Sequence, residues 1–134
     1  MFKGPFQKDT LKKHSDPRGE LFEILRFKDD KIPGEGYLYC FTINSGQRRG
    51  DHYHTKKQEW FSCLSGQAVV LIEDKKGKKK KIVLDSKKPT LIYCGPHTSH
   101  ALYNELKQPA VVISYGSKQH DPADPDTFKK FIEY

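Results

Sequence analysis

A chain of 134 residues with three cysteines, and no C-x-x-C pair among them, is expected to form one domain over residues 1–134. Such a domain stands on a hydrophobic core rather than on disulfides or a cysteine–zinc site. The formal charge is +7, yet six lysines crowd into residues 75–81 with no recognition helix, RNA-binding aromatic motif or zinc finger, so nucleic-acid binding is not expected. No apolar run approaches the ~18 residues that span a bilayer, and MFKGPFQKDTLKKHSD lacks the apolar stretch of a signal peptide, so the expectation is a cytoplasmic protein that does not enter the membrane.

Helical periodicity is nearly absent, and short β-branched and aromatic runs recur between turn signals. In chain order, strands are predicted at ELFEILRF (20–27), GYLYCFTI (36–43), GDHYH (50–54), EWFSCL (59–64), QAVVLIED (67–74), KKIVLD (80–85), PTLIYC (89–94), HALYN (100–104) and AVVISYG (110–116). That pattern predicts an all-β antiparallel sandwich or barrel. DKKGKKKK joins two of these strands and reads as a hairpin tip turning at Gly77, where exposed lysines protect a sheet edge. The same basic field would draw in small anionic substrates such as nucleotide diphosphates. Only the tail DPDTFKKFIEY reads as helical, with Asp126 as its N-cap. Cys40, Cys63 and Cys94 are expected to be buried, reduced thiols.

The chemistry concentrates in GQRRGDHYHTKKQEWFSCLSG (46–66). Strand residues two apart share a face, so His52 and His54 project together. Glu59 opens the next, antiparallel strand and can return to that face. Further on, CGPHTSHALYN brings His97 and His100. Imidazoles with one carboxylate form a ligand set for a first-row divalent metal, with His52, His54, Glu59 and His100 as ligands if a metal is bound. They form equally well a general acid/base set. Tyr37 and Tyr39 alternate to one face of the preceding strand, as candidate proton donors or as aromatic packing. Arg18, Arg26 and Arg49 are candidate diphosphate contacts, with Arg48 less distinct from a surface arginine, because a guanidinium binds phosphate bidentately. Gly19 and Gly50 each follow an arginine and would let backbone or ligand approach closely. Trp60 should face away from Glu59, as core or dimer interface, while His14 and His120 read as surface residues.

The spacing Gly46-x5-His52-x-His54-x4-Glu59-x6-Gly66 resembles the first motif of the cupin superfamily at every position. The second motif is half matched: His100 and Asn104 have the right spacing, and His97 stands where the glycine should be, which would crowd the site. DPRGEL (16–21) resembles a stretch of the dTDP-4-dehydrorhamnose 3,5-epimerase group and of the dTDP-sugar 3,4-ketoisomerases. RRGDHYH and CGPHTSH resemble ketoisomerase motifs. RGDHYHTKKQEWFSCLSG and DPADPDTF are similar to the C-terminal cupin domain of capsular-polysaccharide bifunctional enzymes.

The resemblance implies a cupin jelly-roll sandwich or barrel of the epimerase type, with a short C-terminal helix. It implies a homodimeric isomerase or epimerase of a nucleotide-linked 4-keto-6-deoxy sugar in surface-polysaccharide biosynthesis. His52 and His54 would be acid/base residues, and Arg18 (often from a neighbouring subunit), Arg49 and His100 would contact substrate or oxyanion. Ketoisomerases generally hold no metal, but Glu59 stands where metal-binding cupins carry their carboxylate. No cofactor is needed in the first case, and a divalent zinc, nickel or iron ion serves in the second. The other readings are a non-catalytic sugar- or metal-binding cupin and a metal-dependent cupin oxygenase.

Overall fold

A computed structural model describes residues 2–134. In chain order the elements are β1 (Lys13–Asp16), β2 (Gly19–Arg26), α1 (Phe27–Asp30), β3 (Tyr37–Ile43), β4 (Arg48–Tyr53), β5 (Glu59–Ser65), β6 (Gln67–Glu73), β7 (Lys79–Asp85), β8 (Ile92–Cys94), β9 (Ser99–Tyr103), β10 (Ala110–Gly116) and β11 (Phe128–Lys129). They form two antiparallel sheets, in the orders β1-β2-β3-β10-β5-β8 and β11-β4-β9-β6-β7. All nine predicted strands are present, with ends shifted by a few residues. Strand alternation decides which side chains are internal. Tyr37, Tyr39, Phe41 and Ile43 from β3 meet Phe61 and Cys63 from β5, Ala68 and Val70 from β6, Leu102 from β9 and Val112 from β10 in one core between the layers. This is the expected jelly-roll sandwich.

The lysine-rich hairpin forms as predicted. Asp74 Oδ1 accepts the Lys76 and Lys78 N–H groups, and Gly77 takes the left-handed backbone that closes the turn. The three cysteines are buried and unpaired. Burial raises the Cys94 thiol to about 12, which makes it inert. Trp60 lies on the outer face of the larger sheet with Tyr93 and Tyr115, opposite the core, so it is not a core residue. Among the described residues no helix is long and apolar enough to cross a membrane.

The predicted C-terminal helix is absent. The tail lies extended along β4, where Phe128 pairs with Tyr53 and Lys129 with His52. Asp51 takes the N–H groups that a helix would use internally: Lys130 N–H donates to its carbonyl at 2.7 Å and Ile132 N–H to its carboxylate at 3.1 Å. Ile132 is fully buried against Leu71 and Ala101. A short terminal helix gains little by itself, so these tertiary contacts win. Asp126 has a left-handed φ of 45° and caps no helix. The short helix α1, by contrast, follows β2 where the sequence suggested that the strand continued through Phe27.

Candidate active site and metal centre

The site begins with an irregularity in β4. The register of β4 against β9 shifts between Gly50 and His52, where Gly50 (φ 89°) and Asp51 (φ 59°) both take left-handed backbone. A Cβ on Gly50 would lie 2.8 Å from the His100 carbonyl oxygen, and one on Gly19 2.5 Å from that of Thr42. Both glycines therefore serve close backbone approach. The bulge sets His52 beside His100, with ring centroids 4.7 Å apart, and His54 4.9 Å from His52.

Glu59 opens β5 at 2% exposure and faces the three imidazoles. His54 Nε2 lies 2.6 Å from Glu59 Oε1, and His100 Nε2 lies 3.4 Å from the same oxygen. On the other carboxylate oxygen, Tyr39 donates its hydroxyl at 2.7 Å and the Lys57 ammonium stands 4.0 Å away. Lys57 is itself buried and donates to the Tyr37 hydroxyl at 3.0 Å. Tyr37 and Tyr39 stack with centroids 4.6 Å apart. Behind His54, Nδ1 donates to the Asp126 carbonyl at 2.7 Å.

These contacts settle the charge states. Burial, and then the neighbouring His100 and His54, lower the His52 pKa to about 3, and burial lowers that of His100, so both imidazoles are neutral. Burial disfavours the Glu59 carboxylate, but the His54 hydrogen bond, His100 and Lys57 outweigh it and hold the acid well below the ordinary range. Burial likewise opposes the Lys57 charge; Glu59 and Tyr37 overcome that and raise its pKa. Tyr39 rises well above a normal phenol through burial and the Glu59 charge, so it keeps its proton.

The metal-ligand atoms of His52, His54, Glu59 and His100 all lie within 4.8 Å of one another. This set fits a first-row divalent cation: three imidazoles, one carboxylate, and a His54 ring whose Nε2 is aimed at the centre by the carbonyl bonded to Nδ1. His97 takes the left-handed backbone (φ 64°) that suits a glycine, stacks loosely on Tyr53, and stays outside the cluster, so it does not crowd the site. Asn104 is structural, donating to the Ile43 and Gln108 carbonyls.

A cavity of about 170 Å³ opens onto the cluster, lined by Arg18, Tyr39, Arg49, His52, Phe61 and His100 among others. Arg49 is buried, donates to the Thr42 and Glu20 carbonyls and lies over Phe41. Burial and the Arg18 charge push its pKa down. Arg18 is held by Asp16 on the same turn. Two of the expected residues are elsewhere. Arg26 is engaged by Glu23 and Asp29 at a separate cleft with Lys118 and His120, and Tyr37 lies behind Tyr39, off the cavity wall. Arg48 is bound to Asp51 and to the Ile132 carbonyl. Lys57 escaped the sequence reading, and Asp126 was read only as a helix N-cap, not as a residue of the site. For Lys57 the available signal was its two-residue spacing from Glu59, which puts both on one face; for Asp126 there was none.

A two-layer antiparallel jelly roll carrying this His-x-His, Glu and His cluster defines a cupin. The chain belongs to the polysaccharide biosynthesis C-terminal domain family, which matches residues 14–128. It is 30% identical over 116 residues to a UDP-2-acetamido-2,6-beta-L-arabino-hexul-4-ose reductase of Pseudomonas aeruginosa, covering 86% of this chain but only 30% of that protein. It is also 30% identical over 128 residues to a TDP-4-oxo-6-deoxy-alpha-D-glucose-3,4-oxoisomerase of Aneurinibacillus thermoaerophilus, covering 92% of this chain and 89% of that one. Among solved structures, the capsular polysaccharide assembling protein CapF from Staphylococcus aureus superposes with a TM-score of 0.85 at 21% identity, over 93% of this chain and 33% of that one, a likeness of fold.

Proposed function

We propose that the protein is an isomerase or epimerase of a nucleotide-linked 4-keto-6-deoxy sugar, of the kind used in surface-polysaccharide biosynthesis. The observation that carries the reading is the cavity that joins Arg18 and Arg49 to His52, His100 and Tyr39. Guanidinium groups at one end suit a diphosphate, and neutral imidazoles at the other suit proton transfer next to a ketone. The names of the oxoisomerase and of the reductase, both acting on nucleotide-linked sugars, support the same substrate class.

In this reading the diphosphate displaces Asp16 from Arg18 and lies against Arg49. Neutral His52 takes the proton from the carbon beside the ketone, and the electron pair of that C–H bond moves into an enediolate. Hydrogen-bond donors at the cavity wall, His100 or Arg49, stabilise the oxyanion, a contribution often worth about 3–4 kcal/mol. Protonation of the neighbouring carbon, with the hydroxyl proton passing from one enediol oxygen to the other, shifts the ketone; protonation of the same carbon from the opposite face, by a donor other than His52, inverts that carbon. A basicity near 3 is weak for this task, and an anionic substrate raises it by favouring the imidazolium. Tyr39 has its single proton committed to Glu59, so it acts as a fixed dipole and not as the acid.

A second reading is favoured by the ligand set itself: His52, His54, Glu59 and His100 would hold a divalent zinc, nickel or iron ion. Such an ion would supply Lewis-acid stabilisation of the enediolate oxygen, leaving the proton transfer to groups outside its ligand shell. The proposal includes a cytoplasmic location and a homodimer; the aromatic outer face of Trp60, Tyr93 and Tyr115 on the larger sheet supports the dimer.

Proton NMR of dTDP- and UDP-4-keto-6-deoxyglucose with the protein in D2O, before and after chelator treatment, tests the reading. Deuterium at C3 or C5 with a new keto-sugar signal set is expected, and its loss on chelation assigns the histidines to metal. No exchange with either sugar under either condition overturns the enzyme reading.

A further inference from the structure

Besides its pairing with β4, the tail meets His54 through Asp126 and, more distantly, through the Thr127 hydroxyl, which lies 3.5 Å from His54 Nδ1. The Asp126 carboxylate accepts the backbone N–H groups of Thr55 at 2.9 Å, Lys56 at 2.9 Å and Lys57 at 3.0 Å, together with the Thr55 hydroxyl. Through these bonds it closes the turn between β4 and β5, the segment that carries the chain from His54 through Lys57 to Glu59. The carbonyl of the same residue accepts the proton of His54 Nδ1 at 2.7 Å. Asp126 does both in a left-handed backbone conformation, which aspartate tolerates better than most residues. The Thr55, Lys56 and Lys57 hydrogen bonds hold its carboxyl below the ordinary range even against desolvation, so it stays an acceptor on every oxygen.

We propose that Asp126 is a positioning residue for the cluster: its carboxylate fastens the tail to the turn, and its carbonyl thereby fixes which nitrogen of His54 faces Glu59. A carbonyl can only accept, so Nδ1 must carry a proton and Nε2 is the nitrogen presented to Glu59, 2.6 Å away. Carbonyl acceptors behind an imidazole orient metal-binding or acid/base histidines in this way. The rest of the tail has its own anchors in Asp51 and the buried Ile132, so losing the Asp126 carboxylate releases the carbonyl without detaching the chain end. The assignment rests on the geometry of the cluster and on no particular reaction.

Asp126→Ala and Asp126→Asn in the full chain, treated with chelator, test it by two readouts. The first is the nitrogen-15 and proton spectrum of the His54 ring; the second is affinity for added Co2+. In the parent protein His54 should show a slowly exchanging proton on Nδ1. Asp126→Ala should lose that signal and bind Co2+ about 10–100-fold more weakly, the usual cost of removing the support behind a ligand. Asp126→Asn keeps one oxygen for Thr55 and tolerates the left-handed backbone, so it should restore part of both. If the parent shows no Co2+ affinity, the ring spectrum still decides. An Asp126→Ala protein with the parent His54 spectrum overturns the proposal. So does an Asp126→Asn protein that folds normally but is as impaired as the alanine variant. Should Asp126→Ala fail to fold, Asp126→Asn carries the test alone: an unchanged spectrum overturns the proposal, and a partial loss supports it.

Discussion

His54 Nε2 and Glu59 Oε1 stand 2.6 Å apart with both side chains almost out of solvent, 4% and 3% exposed. Because the other His54 nitrogen already donates to a carbonyl, this short contact holds either a second imidazole proton or a shared cation. Glu59→Gln removes the charge that either arrangement needs. Co2+ affinity of the chelator-treated protein should fall by more than about 100-fold, beyond the usual cost of an outer-shell change. Lys57 would be left as a buried ammonium without its counter-ion, costing roughly 3–5 kcal/mol. Titration calorimetry and urea denaturation check the two effects, and an unchanged Co2+ affinity would remove Glu59 from the ligand set.

Arg49 offers a planar guanidinium from a buried position over Phe41, already oriented by two carbonyls. A lysine cannot reproduce that fork. Arg49→Lys should lower kcat/KM for the sugar nucleotide by about 10–100-fold, corresponding to roughly 1.4–2.7 kcal/mol, chiefly through KM. Steady-state kinetics measure it; a loss confined to kcat would place Arg49 at the oxyanion instead of the diphosphate.

Arg26→Ala should leave kcat and KM within about twofold of the parent, because most surface changes away from a site are nearly neutral. Its guanidinium is occupied by Glu23, Asp29 and the His120 carbonyl at a cleft that shares no lining residue with the cavity at the histidine cluster. A marked rise in KM would show that the nucleotide extends to that cleft.

Gly50→Ala places a Cβ 2.8 Å from the His100 carbonyl oxygen at a φ of 89°. Both the close contact and the left-handed backbone penalise it, at about 1–3 kcal/mol. Since the displaced partner is His100 itself, activity should fall further than stability alone predicts. Thermal unfolding and kcat measured at a temperature where the variant is fully folded separate the two.

Burial, with His100 and His54 behind it, brings His52 from 6.5 to about 3 in the folded chain. Between those values the unfolded chain binds the proton and the folded chain does not, so stability falls as the pH is lowered through this window. Metal-free protein should be about 1–2 kcal/mol less stable at pH 5 than at pH 7, because the difference accrues at about 1.36 kcal/mol per unit only below the unfolded value of 6.5, and less where the ring is open to the cavity. Denaturation curves at the two pH values measure this, and His52→Gln should flatten the difference. An equal pH dependence in that variant would assign the effect to another group.

The strands were legible because each has its own period-two pattern and its own turn residues. The ligand set was legible because H-x-H and the return to Glu59 follow from that same period. The two short strands were not: β1 is exposed along its whole length, so its sequence carries no alternation, and β11 is two residues long. Arg26 was assigned by alternation alone, which gives a face but not a partner, and Glu23 and Asp29 claimed it. The sequence by itself thus determined an all-β jelly roll with His52, His54, Glu59 and His100 on one inner face. Only the tertiary structure decided that Lys57 donates to Tyr37, that the tail is extended, and that the Asp126 carbonyl meets His54. The reason is that local periodicity is written within a few consecutive residues, whereas those contacts join segments about 20 to 80 residues apart, where hydrogen bonds formed on folding outweigh local preference.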